Sequence, residues 1–224
     1  TEVFPDRDNP YDSYAEALMA LGKNNEAIAN YKTSLELNPK NTNAIEMLAK
    51  LGVTYSTDLL KTNDTWGKEL FAIPLHFAPG IQLKGFEDAR FPEGWNDTNS
   101  PNFWTYAFAW KVNLDTALTT SQVKDYIQKY YDGLLSGVNK EKNLELPKTE
   151  VQLLKNKNGN FIGKATIYDT FVTRKSLELN FHIEQVLCEK SNNSIILFRV
   201  SPKNFNHAVW TGLKEIKILN NSCD

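Results

Sequence analysis

One helical pattern, present once, constrains this chain more than anything else in it. In YDSYAEALMALGK (residues 11–23), Tyr11, Tyr14, Ala15, Leu18 and Leu21 recur three and four positions apart and make one apolar stripe. Gly22 and the following Lys23-Asn24-Asn25 end that helix, because such residues tolerate the left-handed backbone of a helix terminus. Ala27, Ile28, Tyr31, Leu35 and Leu37 form a second stripe, stopped by Asn38-Pro39. A third short helix is predicted from Asn43 to Leu51 and closed by Gly52. No second copy of the pattern follows. Ordering ~34 residues costs on the order of 50 kcal/mol at ~1.5 kcal/mol per residue. Offsetting that takes about 2,000 Å² of apolar burial at ~25 cal/mol per Å². Two short helices cannot bury so much against each other, so the hairpin must dock. Residues 42–51 are expected to cap one side and the following domain to cover the other. The rival occupant is a partner chain or a second copy of the protein, which would make an oligomer through the hairpin.

Gly22, Ala27, Tyr31, Ser34 and Pro39, at their mutual spacings, resemble a single tetratricopeptide (TPR) repeat, over about a fifth of the chain. The pattern departs from the family at Tyr11, where Trp is usual, and at Ala15, where Gly is usual. Similar lone repeats follow hydrolase-type domains in some secreted bacterial proteins. The resemblance therefore implies an interaction segment inherited as the tail of such a fusion, although the sequence contains no recognisable hydrolase domain.

Beyond residue 52 the periodicity changes, and the expected division is a TPR-like segment over 1–52 and an α+β domain over 53–224. ELFAIPLHF (residues 69–77) can form a strand, with Pro74 arguing for an edge or a bulge. APGIQLKGFEDARFPEGWNDTNSPN is rich in Gly, Pro, Asn and Asp and is expected to be a loop. FWTYAFAWKVN alternates, placing Trp104, Tyr106, Phe108 and Trp110 on one face of a strand. An amphipathic helix follows, with Thr119 and Gln122 at capping-box spacing and Val123, Tyr126, Ile127, Tyr130, Leu134 and Val138 along one side.

After a polar linker ending near Pro147, four strands are predicted in succession, joined by short turns such as Asn158-Gly159. The alternation in SLELNFHIEQVLC slips at Glu184-Gln185, where a bulge is expected. IILFRV is apolar on both faces, as a central strand would be. A last helix is predicted over AVWTGLKEIKIL. The fold class is therefore α+β, an antiparallel sheet packed by two helices. In element order it is similar to the PsbP/Mog1-like α/β/α sandwiches.

A net charge of -2, from 25 basic and 27 acidic residues, gives little to attract a phosphate backbone, so no nucleic-acid partner is expected. No apolar run approaches the roughly 18 residues of a membrane helix. The chain begins at Thr1 and not at methionine, so a preceding segment is expected to have been removed. Cys188 and Cys223 are the only cysteines, and either one disulfide or two free thiols fits them. A secreted or periplasmic location follows from the resemblance and the disulfide option, with a cytoplasmic one as the alternative.

None of the common catalytic motifs is present, nor any phosphate loop or dinucleotide fingerprint, and no cofactor or metal is expected. His182 and Glu184, two apart on a strand, could share a metal, but two ligands do not make a site, and both are expected to face solvent. His207 is expected at the surface. The stretch of interest is GFEDARFPEGW, which joins Glu87, Asp88, Arg90, Glu93 and Trp95. Placed near His76, Trp104 and Tyr106, it would form a pocket with Glu87 or Asp88 as carboxylate base and Arg90 as clamp. The alternative is that Arg90 pairs with Glu87 or Asp88 to hold a loop, while the aromatics belong to the core. The leading expectation is a non-catalytic module binding a protein or a small molecule. The alternatives are a hydrolase using Glu87 or Asp88 with His76, and an accessory domain of a larger hydrolase-type protein.

Overall fold

The computed structural model describes residues 7–139, 145–189 and 191–223. Three helices come first: α1 (Asp8–Ala20), α2 (Asn24–Leu37) and α3 (Thr42–Lys50). At the end of α1 the N–H of Lys23 reaches Leu18 C=O at 2.9 Å and that of Gly22 reaches Met19 C=O at 3.0 Å. That arrangement needs the positive φ of 73° that Gly22 supplies. Ala15, Leu18, Ala27, Tyr31, Leu35, Ala44 and Leu48 bury one another in a core of their own.

The sequence NPKN binds the three helices together. Asn38 Nδ2 donates to Asp8 at 2.8 Å, Asn41 Nδ2 donates to Asp12 at 3.1 Å and to Ser34 Oγ at 2.9 Å, and Asn43 Nδ2 donates to Asp12 at 2.9 Å. Asn41 also caps α3, its side chain accepting from Ala44 N–H at 3.2 Å. The polar residues between helices are thus the joints of the unit.

The strands are β1 (Leu60–Lys61), β2 (Gly67–Ile73), β3 (Gly85–Phe91), β4 (Tyr106–Val112), β5 (Glu150–Lys155), β6 (Phe161–Tyr168), β7 (Ser176–Cys188), β8 (Asn193–Ser201) and β9 (Lys217–Ile218). Helix α4 (Thr120–Asn139) lies between β4 and β5, and α5 (Val209–Glu215) follows β8. Seven strands form one antiparallel sheet in the order β2-β3-β4-β8-β7-β6-β5, and β1 pairs with β9 in a small second sheet. The fold class is α+β.

The alternation of β4 sorts its residues. Tyr106, Phe108 and Trp110 enter a large core with Val123, Ile127 and Tyr131 of α4 and with Phe181 and Phe198, while Ala107 and Ala109 face a smaller core with Trp210 and Leu213 of α5. The sheet is thus clad on both sides: α4 on its aromatic face, α5 and the β1–β9 pair on the other. β8, buried on both faces, runs down the middle as its apolar run predicts. Thr119 and Gln122 make the expected reciprocal cap of α4, at 2.9 and 3.3 Å.

Four local expectations are corrected. Residues 85–91 are not loop but strand β3, because both neighbours, β2 and β4, satisfy their backbone along the whole segment. The slip at Glu184-Gln185 is not a bulge, since β7 and β8 pair without interruption from Asn180 to Cys188. Gln185 keeps its place in the alternation and spends its amide on the 114–118 segment, accepting from Leu118 N–H at 2.8 Å and donating to Thr116 C=O at 2.9 Å. The last helix ends at Glu215, earlier than expected, because Ile216 turns extended and Lys217–Ile218 pair with Leu60–Lys61. His182 and Glu184 do not face solvent freely: both are half-buried, with Glu184 held by Arg199 Nη1 at 3.0 Å. The polar linker after α4 lies partly outside the described residues.

The helical segment rests on the sheet. α3 covers one side of α2, and α2 also touches β2 and β3. At that contact burial raises the Glu36 carboxyl above its usual range, against the pull of Lys111 and Lys32, and Lys40 Nζ stands 5.6 Å over the Phe71 ring. The hairpin thus touches both its cap helix and the sheet within one chain.

Candidate functional site

Strand β3 sets the chemistry. Its register puts Glu87 between Phe71 of β2 and Trp110 of β4, all on the aromatic face, while Asp88 and Arg90 point to the other face. Glu87 and Asp88 are both fully buried, yet they do different things.

Asp88 receives the Arg90 guanidinium in two parallel bonds, Nε to Oδ1 at 2.6 Å and Nη2 to Oδ2 at 2.9 Å, and also Leu59 N–H at 2.8 Å. Arg90 Nη2 extends to Asp58 at 2.5 Å, and Lys68 Nζ reaches the same Asp58 oxygen at 2.6 Å. The network fastens the 58–62 segment, and hence β1, to the sheet. These side chains are occupied by structure.

Glu87 meets no cation among its described contacts. Trp110 Nε1–H donates to Oε2 at 2.6 Å and Tyr130 OH donates to Oε1 at 3.1 Å. Burial pushes its carboxyl up to about 7, opposed by those two hydrogen bonds and assisted by the nearby charges of Asp88 and Glu69. Tyr130 and Tyr131 are held protonated by burial, and Tyr106 and Tyr131 share a hydrogen bond between their hydroxyls.

Glu87 lies at the floor of a pocket of about 410 Å³ between the sheet, α4 and three loops. Its walls include Phe71, Phe91, Trp95, Trp104, Tyr106 and Phe171, and exposed Glu69 stands at its mouth. Phe91 lies against Trp95 at 5.0 Å and against Tyr106 at 5.7 Å. Trp104 has a left-handed backbone (φ 51°), and its buried Nε1–H has no hydrogen-bond partner among the described residues. Asp169 folds the 170–173 turn by accepting the N–H groups of Phe171, Val172 and Thr173 at 2.8 to 3.1 Å, which brings Phe171 edge-on to Trp104 at 5.8 Å. Helix α4 approaches the 74–83 loop closely at Gly133, where a Cβ would lie 2.0 Å from Phe77 C=O. That approach sets Phe77 edge-on to Tyr130 at 5.2 Å.

Of the residues singled out in the sequence, Glu87, Trp95, Trp104 and Tyr106 come together here. Asp88 and Arg90 are on the opposite face, and His76 is exposed and outside the lining. Glu93 is exposed and also outside the lining. Phe71, Phe77, Phe91, Tyr130, Phe171 and Glu69 complete the site without having been foreseen as part of it. For Phe91 a signal existed, four residues from Glu87 and so on the same side of an alternating run; for Phe171, on a turn, none did.

Elsewhere, Arg199 donates to Leu213 C=O at 2.8 Å and Ile216 C=O at 2.7 Å, closing the end of α5, and its contacts with His182 and Glu184 serve that closure. Among the described residues no group of three or more His, Cys, Asp or Glu is arranged to hold a metal ion. Cys188 and Cys223 form a disulfide, with Cα atoms 5.3 Å apart. Among the described residues no helix is long and apolar enough to cross a membrane.

Comparison with known proteins reaches the front end only. No curated protein and no solved structure matches the chain. Residues 15–56 match the family model of the TPR repeat, and no family is assigned to the rest of the chain.

Proposed function

We propose that this is a non-catalytic binding protein of the bacterial envelope or exterior. Its sheet-bearing part, over 53–224, holds a small, largely apolar ligand in the aromatic pocket, and its TPR-like segment, over 1–52, presents a surface to a protein partner. The pocket carries the proposal. Its size is in the range of small-molecule sites, and it combines apolar walls with a few fixed polar groups. Against the foreseen hydrolase pair, both oxygens of Glu87 are engaged by neutral donors and His76 is outside the lining, so Glu87 and His76 do not meet as acid and base. The disulfide supports an oxidising compartment. A fragment screen by thermal shift tests the proposal: hits should raise Tm in the native protein and lose that effect in Trp95→Ala. A screen without such hits overturns it.

One observation favours a hydrolase as the second reading, namely a buried carboxyl poised near neutrality in a cleft. A turnover screen against esters, peptides and glycosides decides between them. Activity that falls about a hundredfold or more in Glu87→Gln would establish the enzyme and remove the binding-only proposal.

A further inference from the structure

Taking the pocket as a ligand site, we infer that its ligand is a small organic cation, a substituted ammonium held among ring faces with carboxylates above and below it. The composition of the lining carries this inference. It contains eight aromatic side chains, two carboxylates and no Lys, Arg or His. Ring faces are electron-rich and attract an ammonium through their quadrupoles, most strongly where water is displaced. An anion would meet two carboxylates and ring faces with no Lys, Arg or His in the lining to balance it, and a neutral ligand would leave the two acids without a role.

The acids are placed to act on one guest. Glu69 stands at the mouth and Glu87 at the floor, close enough for the charge of Glu69 to help raise the Glu87 carboxyl. The unpartnered Nε1–H of Trp104 offers a donor for a ligand hydroxyl or carbonyl at the same site. One wall ring already receives an ammonium from the protein itself, since Lys40 Nζ lies 5.6 Å over Phe71.

Charge at the floor depends on pH. The groups facing Glu87 are Trp110 and Tyr106 from β4, Tyr130 from α4, Glu69 from β2 and Asp88 on its own strand. The tyrosines stay protonated, so the carboxyl loses its proton near neutrality and the pocket becomes more negative as pH rises.

The test compares phenyltrimethylammonium, whose charge is permanent, with tert-butylbenzene, its uncharged isostere, by calorimetry on the full chain at low salt. The cation should bind about tenfold more tightly at pH 8. Its affinity should rise several-fold from pH 6 to pH 8 while that of tert-butylbenzene stays level. Glu69→Gln, at an exposed position where folding is not at stake, should reduce the preference to about threefold. Equal binding of the two probes, or a preference unchanged in both Glu69→Gln and Glu87→Gln, overturns the inference and leaves the pocket as an apolar site. Binding of neither probe overturns the inference and the ligand site together.

Discussion

Glu87 and Asp88 are adjacent in the chain, equally buried, and face opposite sides of one strand. On the α5 side, Asp88 is charge-balanced by Arg90 and hydrogen-bonded by Leu59, and the surrounding network is filled. On the α4 side, Glu87 is hydrogen-bonded by neutral donors and faces a cavity. Burial alone therefore does not distinguish an anchor from a site. A counter-ion fixes the charge and turns the residue into a fastener. Without one the proton becomes negotiable, and the surroundings acquire a use for it.

The sharpest way to break this contrast is to remove the fastener. Asp88→Ala should destabilise by about 3–5 kcal/mol, because it strands the buried Arg90 guanidinium, and a denaturant midpoint will show it. The same face is clamped by the disulfide, which spans 35 residues of sequence. Replacing both cysteines by serine should cost about 3 kcal/mol, and thiol titration of the denatured, unreduced native protein should find no free thiol.

On the open face the prediction concerns a proton. The folded carboxyl of Glu87 titrates near 7, above its ordinary 4.5, so between those values the native state keeps a proton that the unfolded chain has lost. Stability should therefore be full below that window, fall as pH rises through it by at most on the order of 3 kcal/mol, and level off above it. Glu87→Gln should abolish that slope; a slope that persists would assign it to another group. Gly133→Ala should cost about 1–3 kcal/mol by overpacking α4 against the 74–83 loop. Glu69→Gln, at the exposed rim, should move stability by less than about 0.5 kcal/mol while weakening cation binding.

Much of the fold was legible because periodicity is a local property. The helices at Tyr11–Leu21 and Ala27–Leu37, the alternation of Tyr106–Trp110 and the two-sided apolar run of Ile195–Val200 each announce their element, although Trp104, expected in the same strand, stands before it with a left-handed backbone. What was hidden depends on distant partners. GFEDARF reads as loop because its polar residues look exposed, and only pairing with β2 and β4 makes it a strand. The two-residue strands β1 and β9 are too short to carry any pattern. The pocket was half legible. Glu87, Trp95, Trp104 and Tyr106 lie close enough in sequence to be grouped, whereas Phe71, Tyr130 and Phe171 arrive from β2, α4 and the 170–173 turn. The grouping also united Glu87 with Asp88 and Arg90, which the two-residue period of a strand separates.

The absence of a side chain at position 133 has a consequence for the cavity as a whole. Helix and loop meet there at backbone distance, so a single hydrogen atom acts as the gauge between two of its walls. Phe77 leans on Tyr130, and the hydroxyl of Tyr130 grips the acid at the bottom. A bulkier residue at 133 would work as a wedge, widening the aperture and loosening that grip in the same movement.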